Sequence, residues 1–100
     1  MNTPQKGQVR TIIFKEDEVW YGVALEFNIV EEGDSFDVVT HNLQEAIQGY
    51  VEAVGKTKGS DFSPLNQKPD AEYETMWNKL VANKPVASPI KVKQFGFIRV

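Results

Sequence analysis

One hundred residues with no cysteine, 41% hydrophobic and 25% charged, suffice for one globular domain and exclude disulfides, thiolate zinc sites and cysteine nucleophiles. The net charge is −3, and the eleven Lys and Arg are scattered along the chain; nucleic-acid binding draws its affinity from clustered cations, so an acidic chain of this kind fits a basic protein partner better. No apolar run approaches the ~20 residues that span a bilayer, and residues 1–6 are polar with no apolar stretch behind them, so neither membrane insertion nor export is expected and the expected location is the cytoplasm.

Residues 9–16 and 19–27 are rich in β-branched and aromatic side chains and are separated by Asp17 and Glu18, which predicts a β-hairpin. Closing it on Glu16 and Val19 or on Lys15 and Trp20 gives the same register. Phe14 then faces Tyr21, Ile12 faces Val23 and Arg10 faces Leu25, an apolar face expected to be the core side. The reverse face carries Ile13 opposite Gly22, Thr11 opposite Ala24, and Lys15 opposite Trp20, the last pair placed for a cation–π contact. Asn28 makes the next turn, and residues 29–32 form a third strand that Gly33 and Asp34 end.

Ser35 is placed to cap a helix in which Phe36, Val39, Leu43, Ala46, Ile47, Tyr50, Val51 and Val54 recur at spacings of three and four, with Gly55 as its stop. This long helix is expected on the Phe14 face of the hairpin. A polar connection over residues 55–69 has only Phe62 and Leu65 as apolar anchors. Asp70 then offers an N-cap to a short helix striped by Tyr73, Met76, Trp77 and Leu80. Residues 91–100 alternate as a last strand, with Phe95 and Phe97 on one side and Gly96 and Ile98 on the other. The expected fold is α+β and a single domain over residues 1–100. It comprises a β-β-β-α core in residues 9–54, its antiparallel sheet packed on one long helix, then the 55–69 loop and a helix and strand in residues 70–100.

Within this pattern, the strand region TIIFKEDEVWYGVALEF, the segment IVEEGDS ending in Gly33-Asp34-Ser35, and the helix FDVVTHNLQEAIQGYVEAV with Asn42-Leu43 and Glu45-Ala46-Ile47 resemble the HicB family of antitoxins. The resemblance covers residues 11–54 and implies a partial RNase H-like fold. It implies no catalytic residue and no cofactor. Two departures stand out. The family's Pro-x-x-x-Gly-Cys-type turn is replaced by Glu26-Phe27-Asn28-Ile29, and no helix-turn-helix or ribbon-helix-helix segment follows. The resemblance therefore implies the toxin-facing half of such a protein and no direct DNA-binding segment.

The carboxylates Glu26, Glu31, Glu32, Asp34 and Asp37 cluster near the end of the hairpin and the start of the helix. An RNase H-type nuclease holds Mg²⁺ with several such groups, but of these only Glu26 is expected in a long strand. The alternative is a solvated acidic rim, which in an antitoxin covers the basic surface of an RNA-cleaving toxin by charge complementarity. His41, the sole histidine, lies on the polar face of the helix with no nucleophile motif beside it, and one histidine cannot build a multi-histidine metal site. On the reverse face Ile13, Trp20, Gly22 and Ala24 form an apolar patch. It is covered either within the chain, with Trp77 and Phe95 supplying side chains, or by another subunit.

The expected function is accordingly binding rather than catalysis: an antitoxin-type domain that occludes a small basic toxin, with a homodimer as a further expected partner state. Ile13, Trp20, Ala24, Glu26, Glu31, Glu32 and Asp34 are the candidate contact residues. A stand-alone regulatory or ligand-binding module on the same fold is the alternative, and a divalent-metal nuclease a more distant one.

Overall fold

Asp17 adopts a left-handed φ of 56°, which lets a two-residue turn close on the Glu16–Val19 pair and join β1 (Gln8–Glu16) to β2 (Val19–Ala24). The register is the expected one, with Phe14 opposite Tyr21 and Ile12 opposite Val23. The ladder stops at Thr11 and Ala24, one pair short of the expected Arg10–Leu25 match, because Leu25–Phe27 winds into a 3-10 turn. The Arg10 backbone N–H donates instead to the Glu26 carboxylate at 2.8 Å. Asn28 follows in the left-handed region, with φ of 51°, and starts β3 (Ile29–Gly33). Here a short side chain tolerates a conformation that most residues avoid.

The computed structural model describes residues 1–56 and 61–100, so part of the expected 55–69 loop, residues 57–60, lies outside the described residues. After β3 come α1 (Phe36–Lys56), α2 (Ala71–Val81) and β4 (Ile90–Arg99). The strands form one antiparallel sheet in the order β3-β2-β1-β4. Ser35 caps α1 by accepting the Val38 N–H at 3.1 Å, and Asp70 caps α2 by accepting the Glu72 N–H at 3.0 Å. Helix α1 passes Gly55 and runs to Lys56.

The two helices lie on opposite faces of the sheet, in the reverse of the expected arrangement. Helix α1 packs Val39, Leu43, Ile47 and Val51 against Val9, Ile13 and Ala24. Helix α2 packs Met76 and Trp77 against Ile12, Phe14, Val23 and Leu25, with Tyr21 and Tyr73 at the margin. The physical reason lies at Gly22 and Ala24. A Cβ at Gly22 would stand 3.2 Å from Leu43 Cδ2 and 3.5 Å from Val39 Cγ2, so the small residues of β2 admit a long helix at close range. The bulky face, where Phe14 stacks on Tyr21 at 5.3 Å, takes the shorter helix, whose Tyr73 meets Phe14 at 6.3 Å.

Strand β1 is therefore buried on both sides, with Val9 and Ile13 under one helix and Ile12 and Phe14 under the other. That explains its unbroken apolar run. Strand β4 solves a related problem with a bulge. Its pairing moves from Ile13–Gln94 to Phe14–Val92, leaving Lys93 unmatched. Without the extra residue, Val92 and Ile90 would be on the face opposite to Phe95 and Phe97. With it, Ile90 and Val92 join the α2 cluster, while Phe95 and Phe97 meet Trp77 at ring-centroid distances of 5.7 and 5.5 Å.

Residues 61–69 are anchored by polar contacts that periodicity does not announce. Leu65 is fully buried. Its carbonyl accepts Asn2 Nδ2 at 3.0 Å, Tyr50 Oη donates to the Pro64 carbonyl at 2.9 Å, and Gln67 Nε2 donates to Tyr50 Oη at 2.8 Å. Asn28 holds the approach to α2, accepting the Asp70 N–H at 3.1 Å and donating to the Lys68 carbonyl at 3.1 Å. These bonds position α2 across the sheet from α1.

Candidate functional site

The expected contact residues separate into three groups. Ile13 and Ala24 are buried beneath α1, so in the folded chain they are core residues and present nothing to a partner. Trp20 is partly buried against the same cluster. Its ring meets Phe36 edge-on at 5.8 Å, and Lys15 Nζ lies 5.9 Å from its centroid, as the pairing predicts. The apolar patch expected on the reverse face is thus covered within the chain, by α1 rather than by Trp77 and Phe95. The close approach that Gly22 permits is what the patch was built for.

Glu26 belongs to a second group. It sits in the 3-10 turn rather than in a strand, and its carboxylate receives both the Arg10 backbone N–H and the Arg10 Nε–H. The same guanidinium forks onto Glu74 of α2, with Nη1 and Nη2 donating at 2.8 and 2.7 Å, and its Cζ stands 5.4 Å from the Trp77 ring centroid. Arg10 therefore ties β1, the 3-10 turn and α2 together with planar, bidentate geometry. The hydrogen bond to Glu74 outweighs the burial that opposes it and, with Glu26 adding to the effect, holds Arg10 still more firmly in its charged form. Reciprocally, the Arg10 hydrogen bond keeps the Glu74 carboxyl below its ordinary value of 4.5, against a small opposing effect of burial.

A depressed carboxyl pKa stabilises the fold above the unfolded value and loses that contribution as pH falls through the folded one. Glu74→Gln should accordingly lower stability at pH 7 by under about 1 kcal/mol, because roughly a third of the side chain is exposed. The gap between the variant and the parent should close as the pH drops below about 4.5. Denaturant melts of both proteins across this range check the pair; a gap that stays constant with pH would show that Arg10 does not sense the Glu74 charge.

The third group lies at one end of the sheet. Glu32 and Asp34 are exposed at the end of β3, Asp37 is exposed in the first turn of α1, and Asp17 and Glu18 are exposed in the hairpin turn. Register places them together, since Trp20 pairs with Gly33 and Glu16 with Val19. A shallow cleft of about 410 Å³ between Val19, Glu32, Gly33, Asp34 and Val38 holds Glu32 and Asp34, whereas Asp17 and Glu18 line a second cleft with Lys15 and Lys91. Glu31 is half-buried opposite Gly22 on the α1 face. Among the described residues, none of these carboxylates is within ion-pairing distance of a Lys or Arg, in contrast to Glu26 and Glu74.

Among the described residues, no three acidic or histidine side chains converge as they would to hold a metal ion. His41 is exposed on α1 with Nε2 3.5 Å from Glu45 one turn on. No helix among the described residues is long and apolar enough to cross a membrane. Sequence reasoning located the acidic group by composition but missed the hairpin carboxylates Asp17 and Glu18, which only the pairing of β2 with β3 brings alongside. It also missed Arg10, whose signal was a lone cation on an otherwise apolar strand face. No family model, curated protein or solved structure matches this chain.

Proposed function

We propose that the chain is a binding domain of the HicB antitoxin type, acting in the cytoplasm, whose acidic end covers the basic surface of a small RNA-cleaving toxin. The observation that carries this reading is the segregation of its carboxylates. Those of Glu26 and Glu74 share Arg10 inside the fold, whereas Asp17, Glu18, Glu32, Asp34 and Asp37 are exposed and make no ion pair with a Lys or Arg among the described residues. Exposed like charges repel one another, so the gathering of Glu32, Asp34 and Asp37 carries a cost that a cationic partner relieves.

The resemblance over residues 11–54 supplies the partner's class, and the charge supplies its sign. The role is occlusion, with no chemistry contributed by the chain itself. The test is co-expression with the product of an adjacent short reading frame that encodes a basic protein. A stable complex is expected, and Glu32→Lys combined with Asp34→Lys should weaken it roughly tenfold or more, mostly through slower association that is steeper in salt for the parent. Unchanged binding by the double variant, or no complex with such a product, would overturn the reading.

A further inference from the structure

The two edges of the sheet are built differently. The β3 edge is short, five residues, and carries Glu31 and Glu32, so a second copy paired along it would set acid against acid. Strand β4 is ten residues long, and its free edge is protected over only half its length. Lys91, Lys93 and the bulge occupy the first half, and such charges and bulges are the usual devices that discourage edge pairing. The second half, from Phe95 to Arg99, has neither an internal lysine nor a bulge. Helix α1 packs chiefly over β2 and β3, and so leaves this edge clear.

The hydrogen-bonding parity of that half is fixed by the structure. The Val100 N–H donates to the Gly7 carbonyl at 3.1 Å, and the register runs Arg99–Gln8, Ile98–Val9, Phe97–Arg10, Gly96–Thr11. In an antiparallel ladder alternate residues turn both backbone groups to the same neighbour. Val100, Ile98 and Gly96 therefore address β1, and the N–H and C=O groups of Phe95, Phe97 and Arg99 point out along the free edge. The same residues carry the apolar surface, for Phe95 and Phe97 are 42% and 63% exposed, although each also touches Trp77.

Among two-fold axes through the residues that point outward, charge selects one register for a second copy. A two-fold axis at Phe95 would set Arg99 against Lys91 and force Phe97 onto the bulge at Lys93. An axis at Arg99 would oppose two arginines. An axis at Phe97 pairs Phe97 with its own counterpart and Phe95 with Arg99, so that aromatic contact and a cation–π pair flank the axis with no like charges directly opposed. We propose that β4 is a dimerisation edge, at which two copies join antiparallel about Phe97 into one continuous eight-stranded sheet, four strands from each. This seam is at the opposite edge of the sheet from the acidic end, so a dimer would present two acidic ends outward.

Sedimentation equilibrium and backbone amide exchange on the full chain test the proposal together. The parent should have twice the 11.3 kDa of the chain, and the Phe95, Phe97 and Arg99 amides, which have no acceptor within the fold, should exchange roughly tenfold slower or more as protein concentration rises. Phe97→Lys sets two cations on the axis and should give a monomer in which those amides exchange freely. Its Gly96 and Ile98 amides, which face β1, should stay protected and so report that the fold is intact. A second variant, Phe97→Pro, removes a donor that faces only the partner and should have the same effect. A monomeric parent, a parent dimer in which the three amides stay unprotected, a Phe97→Lys dimer, or an edge that takes up a different protein or a nucleic acid while the chain stays single would each overturn the proposal.

Discussion

Trp77→Ala should cost the domain about 3–5 kcal/mol, the range for removing a large buried aromatic side chain. That is a substantial part of the 5–15 kcal/mol that ordinarily holds a domain together. Trp77 is 8% exposed and occupies the centre of the layer between α2 and the sheet. Its ring meets Phe95 and Phe97 edge-on and lies beneath the Arg10 guanidinium. Truncation leaves a cavity, frees both phenylalanines and removes the surface on which Arg10 rests while it joins Glu26 to Glu74. Urea denaturation should show the loss as a lower midpoint, with the near-ultraviolet circular dichroism weakened in the folded baseline. A loss under about 1 kcal/mol would mean that α2 contributes little to holding the sheet.

Gly22→Val should lower stability by about 2–3 kcal/mol, and it decides which face carries the long helix. A Cβ at this position already stands 3.2 Å from Leu43 Cδ2 and 3.4 Å from Leu43 Cβ. The further methyls of valine have no space unless α1 lifts from the sheet, and overpacking of this kind costs about 1–3 kcal/mol. The upper part of that range applies because Leu43 and Val39 are themselves 1% and 0% exposed and hemmed in by the same cluster. If the reverse face were open instead, valine would be a better strand residue than glycine and the substitution would stabilise. The sign of the change in the denaturation midpoint therefore reads out the arrangement of layers directly.

Much of the architecture is legible in the chain because it rests on local physics. Asp17 and Glu18 separate two β-branched runs, and alternation on either side of them sets the hairpin register that the structure has. Ser35 and Asp70 each offer an oxygen to a free N–H at a helix start, and both helices begin there. The Tyr73, Met76, Trp77, Leu80 stripe packs as one face because a helix repeats every 3.6 residues.

What the chain does not announce is how these elements meet. Amphipathicity states that α1 has an apolar face, not which face of the sheet it chooses. Size matching at Gly22 and Ala24 reversed the expected choice and turned Ile13 and Ala24 from candidate contacts into core. The value of Arg10, a lone cation facing two carboxylates from positions 26 and 74, likewise emerges only when α2 crosses the sheet. The Lys93 bulge is a third case, since strict alternation would put Val92 on the wrong face.

Composition and short-range periodicity thus determined by themselves that the chain is α+β, where its strands and helices fall, how the hairpin pairs, and that acidic residues collect around positions 31–37. Tertiary structure alone decided that the sheet is covered on both sides, that Glu26 is paired with Arg10 while Glu32 and Asp34 make no ion pair among the described residues, and that the second half of β4 presents an open edge. The division has one physical cause. Backbone conformation and hydrogen-bonding period are set by neighbours in sequence, whereas burial, charge pairing and edge exposure depend on which distant surfaces fit closest together.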